Sequence, residues 1–362
     1  MILIAPTAFK ETMSAPVVAQ AMAAGVRAAV SAPVLTLPLS DGGPGLIDSI
    51  RTVHGGDVVA IDVTGPLGEP AVARLLRLGD QFILEAAEAC GLHLVPREAR
   101  NPLAAHTRGV GEMIRWAAQA GPSRIILGLG GSATIDGGAG MARALGWRLL
   151  DSRGQPIPDG GGGLTRLSRI EPPEDGPALP PVTVLVDVRN PLLGRDGAAP
   201  AFGPQKGADA PAIRKLARGL TRLADRFAAD LGVDVRALRG GGAAGGLGAG
   251  AAAFLGASIE AGSDWVLAAV GFDQALDKAS LLVTGEGEYD AQSGWGKIVG
   301  EVAARARRRG IPVLIIAGRV RTEPPEGVIA VDGEGKWLTE ADVSRLVARE
   351  VRKLGLAAKL AP

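Results

Sequence analysis

One segment constrains the fold of this chain more than any other. An apolar run, Ile125-Ile126-Leu127, leads into Gly128-Leu129-Gly130-Gly131-Ser132-Ala133-Thr134-Ile135-Asp136-Gly137-Gly138, and a small-residue helix is expected from Ala139. The glycines bare backbone amides, two hydroxyls add adaptable donors, and one carboxylate can hold a cation. A strand, an amide-lined loop and a helix N-terminus in succession build an anion site. Gly128-x-Gly130-x-x-Ala133 also fits the dinucleotide fingerprint, with Asp151 about 20 residues further on, where an acid would meet a ribose. Asp136 argues against that reading, because a carboxylate there repels a pyrophosphate unless a cation intervenes. A metal-bridged phosphate suits the loop better than NAD, and no Gly-x4-Gly-Lys-Ser/Thr loop occurs in the chain.

At 362 residues the chain exceeds a single ordinary core, so two domains are expected. Apolar residues make up 47% and charged residues 21%, the balance of a packed globule. Thirty-nine basic residues face 38 acidic ones, so no global field recruits nucleic acid or a membrane surface. Aromatic residues at 3% leave few stacking platforms for single strands. Neither nucleic acid nor membrane is expected as a partner. The sole cysteine, Cys90, reads as a small buried apolar residue, and no Cys/His set has zinc spacing. The chain starts on the strand-like Ile2-Leu3-Ile4 without a basic and apolar leader, which suggests the cytoplasm.

Apolar runs alternate with helical patterns at both ends. Ile2–Ala5, Val34–Leu37, Leu281–Thr284 and Val313–Ala317 read as strands. Helices are expected from Ser14, whose hydroxyl can cap and whose Pro16 suits a first turn, then at 45–53, 298–309 and 340–353. Such alternation predicts a doubly wound parallel sheet of Rossmann or flavodoxin type. The middle differs: Val58–Val63, Val72–Leu78 and Phe82–Ala86 are closely spaced strands with a turn at Gly65-Pro66-Leu67-Gly68, and Gly/Pro-rich stretches follow at 153–181 and 194–211. The predicted architecture is an α/β domain of residues 1–60 plus 275–362, with a mixed α/β domain, 61–274, inserted. A cleft between two such domains is the expected ligand site. The basic run Arg305–Arg309 reads as a solvated helix end.

Three further clusters repeat the chemistry of the glycine segment. Ser40-Asp41-Gly42-Gly43, Val186-Asp187-Val188-Arg189-Asn190-Pro191 and Thr284-Gly285-Glu286-Gly287-Glu288-Tyr289-Asp290 each follow an apolar run. They put carboxylates at the carboxyl ends of strands, where α/β sheets gather ligands. Phosphoryl transfer needs Mg²⁺ on one or two carboxylates, cations on the moving phosphates and a base beside the attacking hydroxyl. Lys10, Lys206 in Gly203-Pro204-Gln205-Lys206-Gly207, and Lys297 after Gly294-Trp295-Gly296 are the lysines placed for phosphate. The residues alone thus point to an enzyme handling a small anion and a nucleotide with Mg²⁺.

In this order the segments resemble the bacterial type I glycerate kinases. The matching pieces are Ile4-Ala5-Pro6, Phe9-Lys10-Glu11, Ser14-Ala15, Asp41-Gly42-Gly43, Arg100-Asn101-Pro102-Leu103, Gly109-Val110-Gly111-Glu112 and Gly128–Met141. They continue with Asp187-Val188, Asn190-Pro191-Leu192, Phe202–Ala208, Gly242–Gly248 and Thr284-Gly285-Glu286-Gly287 with Asp290. The resemblance implies two α/β domains with the active site in the cleft. It also implies ATP-dependent phosphorylation of D-glycerate, generally at the 2-hydroxyl, giving 2-phosphoglycerate and ADP. Carried onto this sequence, Asp187 and Asp41 would serve in metal binding or hydroxyl activation, and Lys10, Lys206 and Lys297 in phosphate or carboxylate contact. Ser132, Thr134, Asp136 and Asn190 would line the nucleotide or substrate side, with Glu286 and Asp290 reaching the cleft from the C-terminal half. Asp187 with Asp290 would hold Mg²⁺. The chain departs from the usual pattern at Thr7, Pro44, Ile135, Arg189, Glu288 and Tyr289, which touches substrate identity more than reaction class. A kinase for a related hydroxy acid, or a non-catalytic hydroxy-acid binder on the same fold, are the alternatives, and a homodimer is allowed.

Overall fold

The computed structural model describes residues 1–9, 12–290, 297–335 and 337–355. The chain divides into two compact units. The first comprises Met1–Asp41, Asp48–Gly55 and Ser263–Pro362, and the second Gly42–Ile47 and Gly56–Gly262.

Thirteen strands are present among the described residues: β1 (Ile2–Ile4), β2 (Val34–Thr36), β3 (Asp57–Thr64), β4 (Pro70–Leu78), β5 (Gln81–Glu85), β6 (Arg124–Gly128), β7 (Arg148–Leu150), β8 (Arg169–Glu171), β9 (Val182–Val186), β10 (Ser258–Ala261), β11 (Leu281–Tyr289), β12 (Val313–Val320) and β13 (Val328–Asp332). In the first unit five of them form a sheet in the order β13-β12-β11-β1-β2, parallel throughout. Counted along the chain, this is the 2-1-3-4-5 order of flavodoxin-like sheets, whose switch point falls between β1 and β11. Ile2, Leu3 and Ile4 are wholly buried, as a central parallel strand covered on both faces requires. Ile2 and Ile4 share one apolar cluster with Val18, Met22 and Val26 of helix Ala15–Ala29, and with Val343 and Val347 of helix Glu340–Lys353. Thr339 and Asp342 close a reciprocal capping box at the start of the latter helix.

Ser14 does occupy the position before helix Ala15–Ala29, but its side chain makes no capping hydrogen bond; Pro16 in the first turn is the start signal that operates. The segment at 284–289 also differs from expectation. It is not a loop at a strand end but a continuation of β11, whose parallel pairing with β12 runs on from Thr284 opposite Ile315 to Tyr289 opposite Val320. Nor is the run at Arg305 merely solvated. Arg305 pairs with Asp264, Asp273 and Glu301, and Arg309 with Asp273 and Asp277.

The second unit holds a six-stranded sheet in the order β10-β9-β6-β5-β4-β3. β10, β9, β6 and β5 run parallel, while β4 and β3 add an antiparallel meander. The Gly65-Pro66-Leu67-Gly68 turn closes the hairpin, with the Gly65 amide donating to the Glu69 carbonyl at 2.7 Å. β7 and β8 form a separate two-stranded ribbon. The Gly/Pro-rich stretch at 194–211 is more ordered than its composition suggests. It contains helix Ala198–Phe202 and the start of helix Ala210–Arg226, which Asp209 caps by accepting from the Ala212 amide.

Candidate active site

Because β5, β6, β9 and β10 are parallel, their carboxyl ends emerge on one edge of the second unit's sheet. Glu85 ends β5, Gly128 ends β6, and Asp187 directly follows β9. This is the edge on which ligands of α/β sheets bind. The segment Gly42–Ile47 lies across it like a strap. A Cβ built on Gly42, which has φ +91°, would sit 2.7 Å from the Cα of Gly262 after β10 and 3.0 Å from the Cβ of Leu185 in β9. A Cβ on Gly128 would collide with the Gly42 carbonyl oxygen. Backbone meets backbone here, which only glycine permits. At the far end of the strap, Glu85 accepts from the Gly45 amide at 3.0 Å and from the Ile47 amide at 2.8 Å. Burial pushes its carboxyl up to about 7, assisted by Glu88, against the pull of the two amides and Arg74.

The glycine loop beyond β6 folds back beside residues 90–92. The Ala133 amide donates to the Cys90 carbonyl, and the Leu92 amide to Gly131. Within it Ser132, Thr134, Asp136 and Lys206 are brought together, all of them buried. Lys206 Nζ donates to Ser132 Oγ and to the Thr134 carbonyl, each at 2.8 Å. Burial lowers this ammonium to about 8, while the Asp136 carboxylate opposes the shift. The Cys90 thiol goes the other way: burial, with Asp136 adding, pushes it up to about 12, and Lys206 and the neighbouring Thr134 hydroxyl pull it back. It is an inert packing group, as the sequence suggests.

Two of these placements depart from the sequence reading. The Asp136 carboxylate has no solvent exposure and accepts four hydrogen bonds, from the amides of Thr107, Gly138 and Gly140 and from Thr107 Oγ1, at 2.9 to 3.2 Å. Amide and hydroxyl dipoles stabilise its charge, with the nearby Lys206 ammonium adding, so it works as a clamp that shapes the loop. Lys206 likewise directs its ammonium inward to the loop, because the surrounding turn at Gly203–Gly207 buries the side chain to 3% exposure.

Asp187 is exposed just after β9, and Asn190 is half-buried, its Nδ2 donating to the Asp196 carbonyl at 2.7 Å. Asn190 is joined to the glycine loop through residues 240–246: the Gly242 amide donates to the Asn190 carbonyl, and the Gly137 amide to that of Gly245. In the first unit, Asp41 is half-buried, and Glu286 is buried opposite Ala317 within β11, one of the two strands that flank the switch point. Lys297 Nζ meets Asp290 Oδ1 at 3.3 Å, where Lys297 precedes helix Ile298–Arg308. Lys10 lies outside the described residues. Of the departures, Ile135 is wholly buried in the apolar core, so it presents no changed group to a ligand. Glu288 is exposed and paired with Arg321 at 2.9 Å.

The sequence reading missed Glu85, Thr107 and the contact of residues 240–246. Glu85 carried a usable signal, an acid closing the apolar run Phe82-Ile83-Leu84, the same pattern that marked Asp41 and Asp187. Among the described residues no three His, Cys, Asp or Glu side chains gather as a metal cage. No helix among the described residues is long and apolar enough to cross a membrane.

The profile of the glycerate kinase family matches residues 2–332. A glycerate kinase of Halalkalibacterium halodurans is 45% identical over 322 residues, covering 88% of this chain and 85% of that protein. The glycerate 2-kinase of Escherichia coli K12 is 42% identical over 322 residues, covering 88% and 84%. A crystal structure from Salmonella typhimurium LT2, of a protein assigned as glycerate kinase 2, matches with TM-score 0.84 and 39% identity over 99% of both chains.

Proposed function

Because this chain belongs to the glycerate kinase family, we propose that it transfers the γ-phosphoryl group of ATP to D-glycerate, at the 2-hydroxyl. The observation that carries the reading is the carboxyl edge of the second unit's sheet, where the exposed Asp187 and the amide-rich loop after Gly128 emerge side by side. The hydroxyl oxygen forms the new bond to phosphorus as the bond to the ADP oxygen breaks, and the hydroxyl proton passes to a carboxylate. Asp187 is our candidate for that acceptor, with Asp41 as the second. Amides of the glycine loop suit phosphate oxygens, and Ser132, Thr134, Asp136 and Lys206 hold that loop in shape. Asn190, Glu286 and Lys297, with Lys10, are proposed contacts of substrate or nucleotide. Mg²⁺, when bound, would neutralise charge on the nucleotide phosphates; Asp187 in the second unit and Asp290 in the first are each a candidate carboxylate for it. ATP dependence supports a cytoplasmic setting.

ADP release coupled to NADH oxidation, measured with D-glycerate, L-glycerate and other small 2-hydroxy acids, tests the substrate. Phosphorus NMR of the product reads which hydroxyl carries the phosphate. Turnover confined to a different hydroxy acid would overturn the glycerate reading. Asp187→Asn is expected to lower turnover at least tenfold, about 1.4 kcal/mol of barrier. A rate near wild type would remove Asp187 from the site.

A further inference from the structure

We infer that Arg100 is a substrate-binding residue whose guanidinium takes the carboxylate of the hydroxy acid. The inference rests on the reading of the chain as a hydroxy-acid kinase. Its first support is a missing counter-ion. Among the described residues six arginines are half-buried: Arg74, Arg100, Arg108, Arg143, Arg226 and Arg305. All but Arg100 meet at least one carboxylate. Arg100 has a single side-chain partner, the Gln205 carbonyl, to which Nη1 donates at 3.1 Å, and its buried Nε has no acceptor. Covering a guanidinium without matching its charge and its donors is costly, so the unmatched edge calls for an anion. Nε and Nη2 form the edge along which arginine grips a carboxylate through two parallel hydrogen bonds.

The second support is where Arg100 is held. Its acceptor Gln205 precedes Lys206, whose ammonium ties into Ser132 and Thr134 of the glycine loop. A Cβ on Gly207, which has φ +88°, would stand 2.7 Å from the Arg100 carbonyl oxygen, so the same turn lies against the Arg100 backbone. Further along, the Thr107 amide and hydroxyl donate to Asp136 of the glycine loop. The segment from Arg100 to Thr107 is thus tethered to that loop at both ends. A guanidinium held in this way loses little freedom when it binds.

A carboxylate fits this edge better than a phosphate because of what else the second unit offers. The nucleotide phosphates have the amides of the glycine loop. The unit's one lysine at the site, Lys206, is 3% exposed and spends its ammonium on Ser132 and Thr134. Arg189, beside Asp187, is exposed and has no partner among the described residues, so nothing fixes the direction of its fork.

The test compares wild type with Arg100→Met and Arg100→Lys in the full chain. Arg97→Met serves as a control, because it removes an exposed cation from the same segment. The KM values for D-glycerate and ATP are measured, together with the inhibition constant of glyceramide, a neutral analogue, against D-glycerate. Arg100→Met is expected to raise the KM for D-glycerate at least thirtyfold, as loss of a partly buried charge pair does. The KM for ATP and the glyceramide constant should stay within threefold of wild type. Arg100→Lys keeps the charge without the fork and should raise the KM for D-glycerate at least fivefold, while Arg97→Met should match wild type. An unchanged KM for D-glycerate overturns the inference. So does an equal weakening of glyceramide, which marks a packing role, or an equal effect of Arg97→Met, which marks a diffuse field. A rise in the KM for ATP as large as that for D-glycerate, or larger, overturns it in favour of a nucleotide phosphate. If Arg100→Met does not fold, Arg100→Lys decides by the same comparisons. Failure of the underlying reading looks different: wild type itself then transfers no phosphate to any hydroxy acid.

Discussion

Ala244 adopts φ +49° and ψ +41°, followed by Gly245 at φ +70° and Gly246 at φ +92°. Three successive left-handed residues turn the chain so that Gly245 can press on Thr134 and Ile135 of the glycine loop. An L-residue in that region is strained by about 1–2 kcal/mol, part of which glycine gives back as chain entropy. Ala244→Gly is therefore expected to stabilise the second unit by roughly 0.5–1 kcal/mol, read as a higher urea midpoint. Lys206 gives a pH signature. Its folded-state value of about 8 lies below the ordinary 10.5, so between these the unfolded chain holds a proton that the folded chain has released. Stability contributed at this site accordingly rises with pH across that window. Replacing the lysine removes the slope, so the stability difference between wild type and Lys206→Met should move in favour of wild type from pH 8 to 10. A difference that stays flat would show that the ammonium is not buried. Turnover of Lys206→Met is expected to fall at least tenfold, because Ser132 and the Thr134 carbonyl lose their shared donor.

At the scale of elements, the strands were largely legible because short β-branched and aliphatic runs such as Ile2-Leu3-Ile4 and Ile125-Ile126-Leu127, bounded by turn residues, favour a strand buried on both faces. The continuation of β11 through Gly285-Glu286-Gly287 was not. Glycine and glutamate are poor strand formers, and only pairing with β12 supplies the hydrogen bonds that keep the segment extended. The candidate site is read from the sequence as a set of acids at strand ends, which is a local pattern. Which acid faces a ligand and which clamps a loop depends on partners distant in sequence, such as Thr107 for Asp136 and Gly45 for Glu85. Those pairings have no local signature. The backbone contact between β6 and the strap yields a direct prediction. Gly128→Ala should destabilise by roughly 1–3 kcal/mol, since the obstructing atom is the Gly42 carbonyl oxygen, which has little room to move. An unchanged denaturation midpoint would mean that the strap does not lie where it is described.

For the whole molecule, two apolar clusters matter. One contains Ile2, Val283, Leu314 and Val347, the other Leu84, Leu127, Val184 and Leu220, and each belongs to a single unit. Separate cores make a single two-state transition unexpected. Leu314→Ala and Leu220→Ala should each cost about 2–5 kcal/mol, but in different calorimetric transitions. Equal shifts of one common transition would refute the division.

The strap has a further consequence for how the chain reaches this state. The polypeptide passes between the units at 41/42, 47/48, 55/56 and 262/263, so neither unit is a contiguous stretch. Cutting out residues 56–262 would yield a sheet whose carboxyl edge is bare and whose buried Glu85 has lost its amides. During synthesis, residues 42–47 leave the ribosome long before β6, β9 and β10 exist to receive them. The edge proposed for catalysis is thus complete only once β10 has been made, although residues 42–47 are among the first synthesised.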